Sequence, residues 1–549
     1  MRELAVVLSG MAALVYEIAW IRPLQYLLGS TTYTLAIIYS AFMLGLGIGS
    51  IVGARIKSER KNLALVEFGI AIYAPLSLFF INSLPSLYRK IASLYSNFFL
   101  FSFLAYFLIF LFLLLPTTLM GITWPLFVGI VKKGKPSEDI GRIYALNNLG
   151  AAAGALFAVL VFIPFLGIKY TLIAAAALNF LAGILVSDIK EAVPALAFFL
   201  LLTPFANYQT LNLYKNGFYR ALILPEDVPY NMSLLFHAEG AYATIDVLEE
   251  GGGVMSLLIN GKGQGGTSPT DLRVNYLLAY LPILLNNPQK VLVIGLGTGT
   301  TAGHLARHAH VTVVEIEPKV VEATSLFRDA NLDLLNNENV TLVIDDGRNF
   351  LLKTSERYDV IIPEPSDPWQ DFSSPLFSKE FFELGRKHLK ENGLFIQWVP
   401  IYQLRSRDFR SFYHTFHEVF PHVVAFANVN QEERAGPYPT ELILVGSPSP
   451  IEVDRIYDRF YLLDERSREE LSRVIFMQGV RPRAEGETAA DRILSLVVFT
   501  SEELGNYGDE APLITDDNLL LEYSAPRNLF RIDRMEVIED IEKWREGLG

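Results

Sequence analysis

A short proline-rich loop carries two acidic side chains that could take a proton from an amine. Glu364 and Asp367 lie three residues apart in the segment PEPSDPW, directly after the apolar run YDVII. A general base must be held close to the group that it deprotonates, and the prolines restrict this loop. Trp369 ends the segment, where its ring could form an apolar or cation–π wall against an ammonium group. The alternative for Glu364 is a structural salt bridge to an arginine.

A glycine-rich segment earlier in the chain could hold a cofactor that contains a nucleoside. The apolar run 291–294 is typical of a strand buried on both faces, and Gly295, Gly297 and Gly299 follow it. Glycines permit positive φ and a close approach of the backbone to a ligand, and the helix after them points free N–H groups the same way. Glu315 ends a second apolar run 20 residues after the first glycine, where a carboxylate can bind two ribose hydroxyls. The alternative is a tight turn that binds no ligand.

Two aspartates follow a third strand-like run at residues 340–344. Either Asp345 or Asp346 could accept a hydrogen bond from the amino group of an adenine. The alternative is that an aspartate caps the next helix. Because there are two carboxylates, both roles can hold.

These residues need a scaffold that brings successive strand ends together. From residue 290 the pattern predicts a strand, a helix, strand 311–315, helix 318–330, strand 340–344, strand 358–362, helix 378–390 and strand 394–398. This alternation indicates an α/β, Rossmann-like domain of the class I methyltransferase type, with a doubly wound and mostly parallel sheet. Ligands of such sheets bind at the carboxyl ends of the strands.

A small β-hairpin lid is predicted in front of this sheet. Residues 241–248 and 254–260 alternate like strands around three glycines, and they lead to the segment NGKGQGG, which contains Gln264. Residues 271–285 then have the apolar spacing of a helix.

The N-terminal 206 residues are too apolar for a soluble domain. The chain of 549 residues is 51% hydrophobic, with a mean hydropathy of +0.30. Charge-poor runs near or above the roughly 20 residues that cross a bilayer predict six membrane helices, at 4–21, 31–54, 63–81, 98–131, 143–168 and 170–187. A seventh run, 192–206, is only 15 residues long and contains two prolines, so we expect it to lie at the membrane interface.

Basic residues in the short loops predict the orientation. One loop contains Arg55, Lys57, Arg60 and Lys61, and another contains Lys132, Lys133, Lys135 and Arg142. Both loops should be cytoplasmic. Six crossings then return the chain to the cytoplasm, whereas a seventh would place the α/β domain outside, away from any pool of a nucleoside cofactor.

Two carboxylates interrupt the apolar runs. Glu17 and Glu67 stand out because a carboxylate in hydrocarbon normally faces a partner or a cavity. The alternative is a structural link, such as one from Glu17 to Arg22 or Arg142.

Other features of the apolar runs concern helix packing. The small-residue runs 45–53 and 150–155 allow helices to approach closely. Pro116 should kink or break its helix. We expect these helices to anchor the protein rather than to form an independent transporter.

The composition excludes several classes of function. The net charge of −13 leaves no basic surface, so nucleic acid is not an expected partner. The absence of cysteine excludes disulfides, thiol catalysis and thiolate metal sites. His304, His308 and His310 lie at a helix end and its exit, where we expect a solvated face, and no metal site is predicted.

Five motifs, in order, resemble the spermidine synthase (aminopropyltransferase) family: VLVIGLGTGT, VVEIEP, DDGRNFL, YDVIIPEPSDPW and LFSKEFFELGRKHLKENG. This resemblance covers about residues 235–447. The whole chain, with YEIAWIR, LPTTLMGITWPL and IYALNNLG in its apolar part and LITDDNLLLEYSAPR near its end, is similar to bacterial multi-pass membrane proteins of a spermidine synthase-like subgroup. The resemblance implies decarboxylated S-adenosylmethionine, or S-adenosylmethionine, as co-substrate, and a polyamine or another amine as acceptor.

The resemblance also implies roles for individual residues. Gln264 matches the family's cofactor-contacting glutamine, Glu315 its ribose acid and Asp346 its adenine-side aspartate. Glu364 falls on the family's catalytic aspartate, with one more methylene, and Asp367 on the second acid of that loop.

Two positions depart from the family pattern. Thr298 replaces an aspartate that holds the aminopropyl amine, and Val274 or Asn275 lies near a tyrosine of the amine-binding segment. The predicted cofactor site consists of Gln264, Gly295, Gly297, Thr298, Gly299, Glu315, Asp345 and Asp346. The predicted acceptor site consists of Asp271, Asn275 and Trp369.

Three functions fit these residues. The first is a membrane-anchored transferase that moves an aminopropyl group from decarboxylated S-adenosylmethionine to an amine, which could be lipid-linked. The second is an S-adenosylmethionine-dependent methyltransferase, because the loss of the amine-holding aspartate removes a feature that favours the decarboxylated cofactor. The third is a non-catalytic polyamine transporter or sensor. We favour the first, in the inner membrane, with the catalytic domain in the cytoplasm and the chain alone or as a homo-oligomer.

The predicted domains follow from these assignments. They are a multi-pass transmembrane domain at 1–206, a linker and hairpin lid at 207–285, a catalytic Rossmann-like domain at 286–450, and a C-terminal helical extension at 451–549.

Overall fold

The computed structural model describes the chain except for residues 95–97, 132–134, 207–231, 371–372, 433–435, 478–485, 529–534 and 548–549. The described residues form two compact units. One contains residues 1–206, 237–245 and 259–262, and the other contains residues 232–236, 246–258 and 263–547.

The first unit is built from long helices. They are α1 (Arg2–Leu28), α2 (Thr32–Gly53), α3 (Arg60–Leu94), α4 (Phe98–Val131), α5 (Pro136–Phe157), α6 (Ile163–Val186) and α7 (Ile189–Leu202). A π-helical turn at Ala158–Phe162 joins α5 to α6. Gly167 has a φ of 75° and interrupts α6, since its backbone is not helical.

Five helical runs are long and apolar enough to cross a membrane, judged by length and composition. They are Arg2–Leu28, Thr32–Gly53, Arg60–Pro85, Phe103–Val131 and Pro136–Val186. The fifth run covers the predicted segment 143–168 and the predicted segment 170–187 up to residue 186, and the non-helical Gly167 interrupts it one residue before the first segment ends. Helix α7 has 14 residues, too few for this group. Of the basic residues used to predict the orientation, Lys132 and Lys133 lie outside the described residues.

Small residues bring the helices into close contact, as predicted. A Cβ on Gly49 of α2 would lie 2.1 Å from the Thr118 carbonyl oxygen of α4. A Cβ on Gly154 of α5 would lie 2.2 Å from the Met11 carbonyl oxygen of α1. Neither position can carry a larger residue without separating the helices.

Helix α4 continues through Pro116 rather than breaking there. Proline lacks the N–H that would bond the carbonyl oxygen of Phe112, four residues earlier. The buried Tyr73 hydroxyl of α3 donates to this oxygen at 2.7 Å. The neighbouring helix therefore supplies the hydrogen bond that proline removes, which is why the helix persists.

No salt bridge from Glu17 to Arg142 or Arg22 is observed among the described residues. Arg142 pairs with Glu3 at 3.3 Å and with Asp139 at 3.7 Å. Arg22 donates to the carbonyl oxygen of Ala241 at 2.8 Å. Glu17 itself is half-buried in α1.

A four-stranded sheet precedes the α/β part. Its strands β1 (Met232–Glu239), β2 (Thr244–Glu250), β3 (Val254–Ile259) and β4 (Lys262–Gly266) pair in chain order. The hairpin predicted from residues 241–260 corresponds to β2 and β3, and Gln264 lies on β4. The sequence analysis missed β1.

The second unit is organised around an eight-stranded sheet. Its strands are β5 (Lys290–Ile294), β6 (His310–Glu315), β7 (Val340–Ile344), β8 (Tyr358–Pro363), β9 (Leu389–Val399), β10 (His422–Glu432), β11 (Gly436–Ser447) and β12 (Val497–Thr500). Their order is β12-β10-β11-β9-β8-β5-β6-β7. Five neighbouring strands of this sheet, β9, β8, β5, β6 and β7, are parallel, which confirms the doubly wound arrangement. Strands β10, β11 and β12 are added antiparallel to it.

Helices surround the sheet of the second unit. They are α8 (Pro269–Asn286), α9 (Thr300–Leu305), α10 (Pro318–Thr324), α11 (Arg328–Asn331), α12 (Gly347–Lys353), α13 (Lys379–Lys387) and α14 (Ser406–Val419). The C-terminal region adds α15 (Arg455–Leu462), α16 (Glu465–Ile475), α17 (Ala489–Leu494), α18 (Ser501–Leu504), α19 (Leu520–Ser524) and α20 (Glu536–Arg545). The region predicted as a helical extension thus also contributes β12 to the sheet.

Candidate active site

The candidate site lies where the sheet reverses its strand order. Strand β5 pairs with β6 on one side and with β8 on the other. The Glu364 N–H after β8 donates to the Ile294 carbonyl oxygen at the end of β5, at 2.7 Å. Gly295 has a φ of 100°, and a Cβ there would lie 2.7 Å from the Glu364 carbonyl oxygen. Glycine therefore allows the acidic loop to lie directly against the glycine turn.

Side chains from neighbouring helices fix the backbone of the glycine turn, and Gly297 leaves one side of the turn open. The Thr324 hydroxyl donates to the Gly297 carbonyl oxygen at 2.8 Å, and Asn331 donates to the Thr298 carbonyl oxygen at 2.9 Å. Gly299, with a φ of 78°, precedes the first residue of α9. Nothing in the described chain lies within 4 Å of a Cβ placed on Gly297. The backbone at this glycine is thus open to a ligand.

Glu315 lies beside this turn with its carboxylate fixed by the backbone. It is 6% exposed and accepts hydrogen bonds from the Leu296 N–H at 2.8 Å and the Glu317 N–H at 2.9 Å. Burial raises the pKa of Glu315, and these N–H groups act in the opposite direction. Each carboxylate oxygen has a further lone pair that could accept from a ribose hydroxyl.

The two aspartates after β7 have separate partners. Asp346 caps α12, since its Oδ1 accepts from the Asn349 N–H at 2.8 Å. Asp345 pairs with Lys353 at 2.9 Å, and this bond lowers the pKa of Asp345. The helix-capping alternative is therefore observed for Asp346, and the adenine contact stays a prediction.

Glu364 combines burial with an oxygen that has no partner. The residue is half-buried, and its Oε1 is closed to solvent and without a hydrogen-bond partner among the described residues. Burial raises the pKa of Glu364 to about 7, whereas the neighbouring Thr301 hydroxyl acts to lower it. No arginine in the described part of the chain pairs with it, so the salt-bridge alternative is not observed. A carboxylate with this pKa exchanges a proton readily near neutral pH.

Asp367 lies deeper in the same loop. It is 1% exposed, and the Tyr402 hydroxyl donates to its Oδ1 at 3.4 Å. Burial, followed by the charges of Asp367 and Glu441, raises the pKa of Tyr402 far above its usual range. Tyr402 therefore stays a neutral donor that fixes the aspartate.

Trp369 lies in the interior of the second unit. The ring is fully buried, and its N–H donates to the Gln403 side chain. This hydrogen bond fixes the acidic loop, and a contact of the ring with an ammonium group stays a prediction.

Strand β4 meets the acidic loop and the glycine turn. Gln264 donates to the Gln370 side chain at 2.9 Å. A Cβ on Gly265 would lie 3.8 Å from the Thr298 methyl group. The Thr298 hydroxyl, in turn, shares a hydrogen bond with Thr300 at 2.9 Å. Strand β4, which carries the predicted lid residue Gln264, thus lies next to Thr298 of the glycine turn.

The predicted acceptor residues lie at the start of α8. Asp271 accepts from the Ser268 hydroxyl at 2.6 Å, in the cap of this helix. Its charge also acts on Tyr402. Asn275 is half-buried one helical turn later.

The sequence analysis missed three residues of this site. They are Thr301, Gln370 and Tyr402. A signal for Tyr402 was present, because it follows β9, whose carboxyl end lies at the same edge of the sheet. Thr301 and Gln370 have no comparable signal in the sequence. They belong to the site because they lie next to Glu364 and Gln264.

The expected solvated histidine face is wrong for His304. It is 1% exposed, and its ring centroid lies 4.2 Å from that of Tyr276. Burial lowers the pKa of His304 to about 4, so this ring is neutral and part of the core. His310 is exposed, as expected.

Comparisons with known proteins match this geometry to a family. The sequence profile of the spermine/spermidine synthase domain matches residues 273–431. The polyamine aminopropyltransferase of Thermococcus kodakarensis is 32% identical over 206 residues, which cover 35% of this chain and 70% of that protein. The chain belongs to the polyamine aminopropyltransferase family. This aminopropyltransferase is accordingly a transferase, with a spermidine synthase-type Rossmann-like sheet.

A longer match concerns the apolar part of this aminopropyltransferase. Polyamine aminopropyltransferase 2 of Aquifex aeolicus is 26% identical over 403 residues, 72% of this chain and 78% of that protein. A match of that length exceeds the part of the chain after residue 206, so it extends into the N-terminal helices. A crystal structure of spermidine synthase from Thermotoga maritima aligns with 48% of this chain and 84% of its own, at 20% identity and a TM-score of 0.37.

Proposed function

We propose that this aminopropyltransferase is anchored in the inner membrane and transfers an aminopropyl group from decarboxylated S-adenosylmethionine to an amine in the cytoplasm. One observation carries the catalytic part of the proposal. Glu364 has a buried side-chain oxygen without a partner among the described residues, on a carboxyl group with a pKa of about 7, and its backbone and Cβ lie against Gly295 of the glycine turn.

The residues at this edge fit a nucleoside-containing sulfonium. The open backbone at Gly297 and the fixed carboxylate of Glu315 would hold its ribose side, and Gln264 would cover it from β4. When bound, the sulfonium supplies an activated carbon and a leaving group that departs as a neutral thioether. No acid is then needed to assist its departure.

The protein's own task is to align an amine and to accept its proton. As the new carbon–nitrogen bond forms and the carbon–sulfur bond breaks, the amine loses one proton, and we assign Glu364 Oε1, which has no partner among the described residues, as its acceptor. Asp367, fixed by the Tyr402 hydroxyl, would orient the amine through a charge-assisted hydrogen bond. Trp369 and Gln403 support the loop from beneath.

Several acidic groups favour a cationic acceptor. Asp367, Glu441 and Asp271 all act electrostatically on Tyr402, so this part of the site carries a negative field. Such a field attracts ammonium groups. Thr298, in contrast, is neutral and bonded to Thr300, so the aminopropyl amine would rely on the acids of the 364–367 loop.

Membrane anchoring is supported by the five apolar helical runs. The cytoplasmic placement is supported by the basic residues Arg55, Lys57, Arg60 and Lys61 in one short loop. The domain division at residues 206, 285 and 450 is part of this proposal.

The test is product analysis with the purified full-length protein. Decarboxylated S-adenosylmethionine and S-adenosylmethionine are each supplied with putrescine or with vesicles of an amine-bearing lipid, and mass spectrometry identifies the products. We expect an aminopropylated amine with the decarboxylated substrate alone. A methylated product would favour a methyltransferase, and no product with any pair would favour a non-catalytic binding protein.

The location is tested separately. Intact cells and inverted membrane vesicles are treated with a protease, and a tag at the C-terminus reports cleavage. We expect cleavage only in inverted vesicles. Release of the protein from membranes by carbonate washing would contradict anchoring.

A further inference from the structure

A second cluster of buried polar groups lies within the first unit, among its helices. Glu67 of α3 is 0% exposed, Asn179 of α6 is 1% exposed and Tyr16 of α1 is 0% exposed. Asn179 donates to Glu67 Oε2 at 2.6 Å, and the Ser9 side chain lies near the same carboxylate. The Tyr16 hydroxyl interacts electrostatically with Glu67. Three helices thus contribute polar atoms to one place.

Three atoms of this cluster have no hydrogen-bond partner in the described chain. They are Glu67 Oε1, Asn179 Oδ1 and the Tyr16 hydroxyl. A buried polar atom without a partner is costly, and a carboxylate in an apolar environment is more so. No lysine or arginine among the described residues pairs with Glu67. The cluster therefore lacks a positive charge and hydrogen-bond donors.

A protonated amino group supplies what is missing. It carries one positive charge and three N–H donors, which match the carboxylate and the number of unpartnered oxygens. A proton on Glu67 would add a single donor and leave the other atoms without partners. A sodium ion would supply charge but no donor, and it needs more oxygen ligands than the four side chains of the cluster.

Aromatic rings pack beside the cluster, and their surfaces suit an aliphatic chain. Tyr16 stacks on Trp20 with ring centroids 5.2 Å apart, and Trp20 meets Tyr73 edge to face at 6.0 Å. Phe42 lies 6.0 Å from Trp20 on another side. The indole N–H is already bonded to the Ser77 hydroxyl at 2.9 Å, so these rings offer apolar surface and π faces.

We propose that Glu67, Asn179 and Tyr16 bind the protonated amino group of a linear aliphatic amine inside the N-terminal helical unit, at a site additional to the catalytic loop. This site does not depend on the proposed reaction. Its ligand belongs to the same chemical class as the proposed acceptor, so the helices would bind a substrate-like amine as well as anchor the enzyme.

The test is equilibrium binding of radiolabelled putrescine to the full-length protein in detergent. Wild-type protein should bind one more molar equivalent of putrescine than the Glu67→Gln variant. Glu17→Gln is the matched control, because it removes a half-buried carboxylate next to Tyr16 in the same unit, and it should bind like the wild type. The acceptor KM of catalysis should be unchanged in the Glu67→Gln variant, which separates this site from the catalytic one. If the protein shows no transfer activity, the difference in bound putrescine between the wild type and Glu67→Gln still tests this site.

A smaller change covers the case in which Glu67→Gln does not fold. Tyr16→Phe removes only a hydroxyl and should weaken binding of the additional equivalent about tenfold. Equal putrescine binding by the wild type and Glu67→Gln, or an unchanged affinity in Tyr16→Phe, would overturn the proposal. Stoichiometric displacement of the additional equivalent by sodium alone would also overturn it, because the cluster would then be a metal-ion site.

Discussion

The role of Glu364 can be tested by a substitution that changes its charge and little else. Glu364→Gln keeps the length and most hydrogen-bonding capacity of the side chain, but it removes the base. Turnover should fall roughly 10²–10⁴-fold, with affinity for the decarboxylated cofactor nearly unchanged. The exposed Glu391→Gln on β9 is the matched control and should leave turnover unchanged.

The pH dependence gives the magnitude. Because burial raises the pKa of Glu364 to about 7, the carboxylate is roughly 10% ionised at pH 6 and roughly 90% at pH 8. A base acts in its ionised form, so wild-type turnover should rise about tenfold between these values through this group. Dividing the wild-type rate by the Glu364→Gln rate at each pH removes the contribution of the acceptor's own amine.

A second variant checks the physical cause. The Thr301 hydroxyl lowers the pKa of Glu364, so Thr301→Val should move the inflection of this ratio to higher pH. Stopped reactions from pH 5.5 to pH 9, quantified by mass spectrometry at about half-unit intervals, would give the profile. A ratio that does not change with pH, or wild-type turnover in Glu364→Gln at neutral pH, would refute the assignment and leave Asp367 as the candidate base.

Substitutions at three further positions test the cofactor site, a helix cap and the packing of the N-terminal helices. Glu315→Gln should weaken binding of the decarboxylated cofactor at least about tenfold in calorimetry, because the ribose loses a charged acceptor; unchanged affinity would remove Glu315 from the site. Asp346→Ala should cost about 1 kcal/mol in thermal unfolding because the Asn349 N–H loses its cap, whereas Asp346→Asn should keep most of that stability. Equal loss in both variants would point to a role beyond capping. Tyr73→Phe should destabilise the helices by about 1–3 kcal/mol, seen as a lower melting temperature in detergent, since the Phe112 carbonyl loses its donor; an unchanged melting temperature would contradict that reading.

The parallel part of the sheet could be predicted from the sequence because its strands are continuous apolar runs that end in glycine or acid. β5, β6, β7 and β8 lie within a residue of their predicted ranges. Strand β12 was harder, since its partner β10 lies far away in the chain. β10 and β11 pair with each other across a short connection and were also not predicted. β1 was not predicted because its half-exposed sequence has no strong alternation.

Site residues were predictable where the chemistry requires a particular residue at a strand end. Glu364 beside Gly295 follows this rule. Gln264, whose role is implied by the family resemblance, lies inside β4 and near the acidic loop. The buried position of Trp369 could not be read from the sequence, because an aromatic residue after a loop packs inward or outward according to tertiary contacts. His304 was misjudged for the same reason: its spacing gave no sign of the tyrosines around it.

Strand β12 determines how much of the chain a fragment must contain to form the complete eight-stranded sheet. The segment that matches the family profile ends at residue 431, before β11, which lies between β9 and β10 in the sheet. A fragment that stops there would leave the facing edges of two long strands without hydrogen bonds, and one that stops at residue 450 would still uncover part of β10. Open edges of this kind pair with other chains and aggregate. During synthesis, the catalytic sheet therefore stays incomplete until residue 500 has left the ribosome.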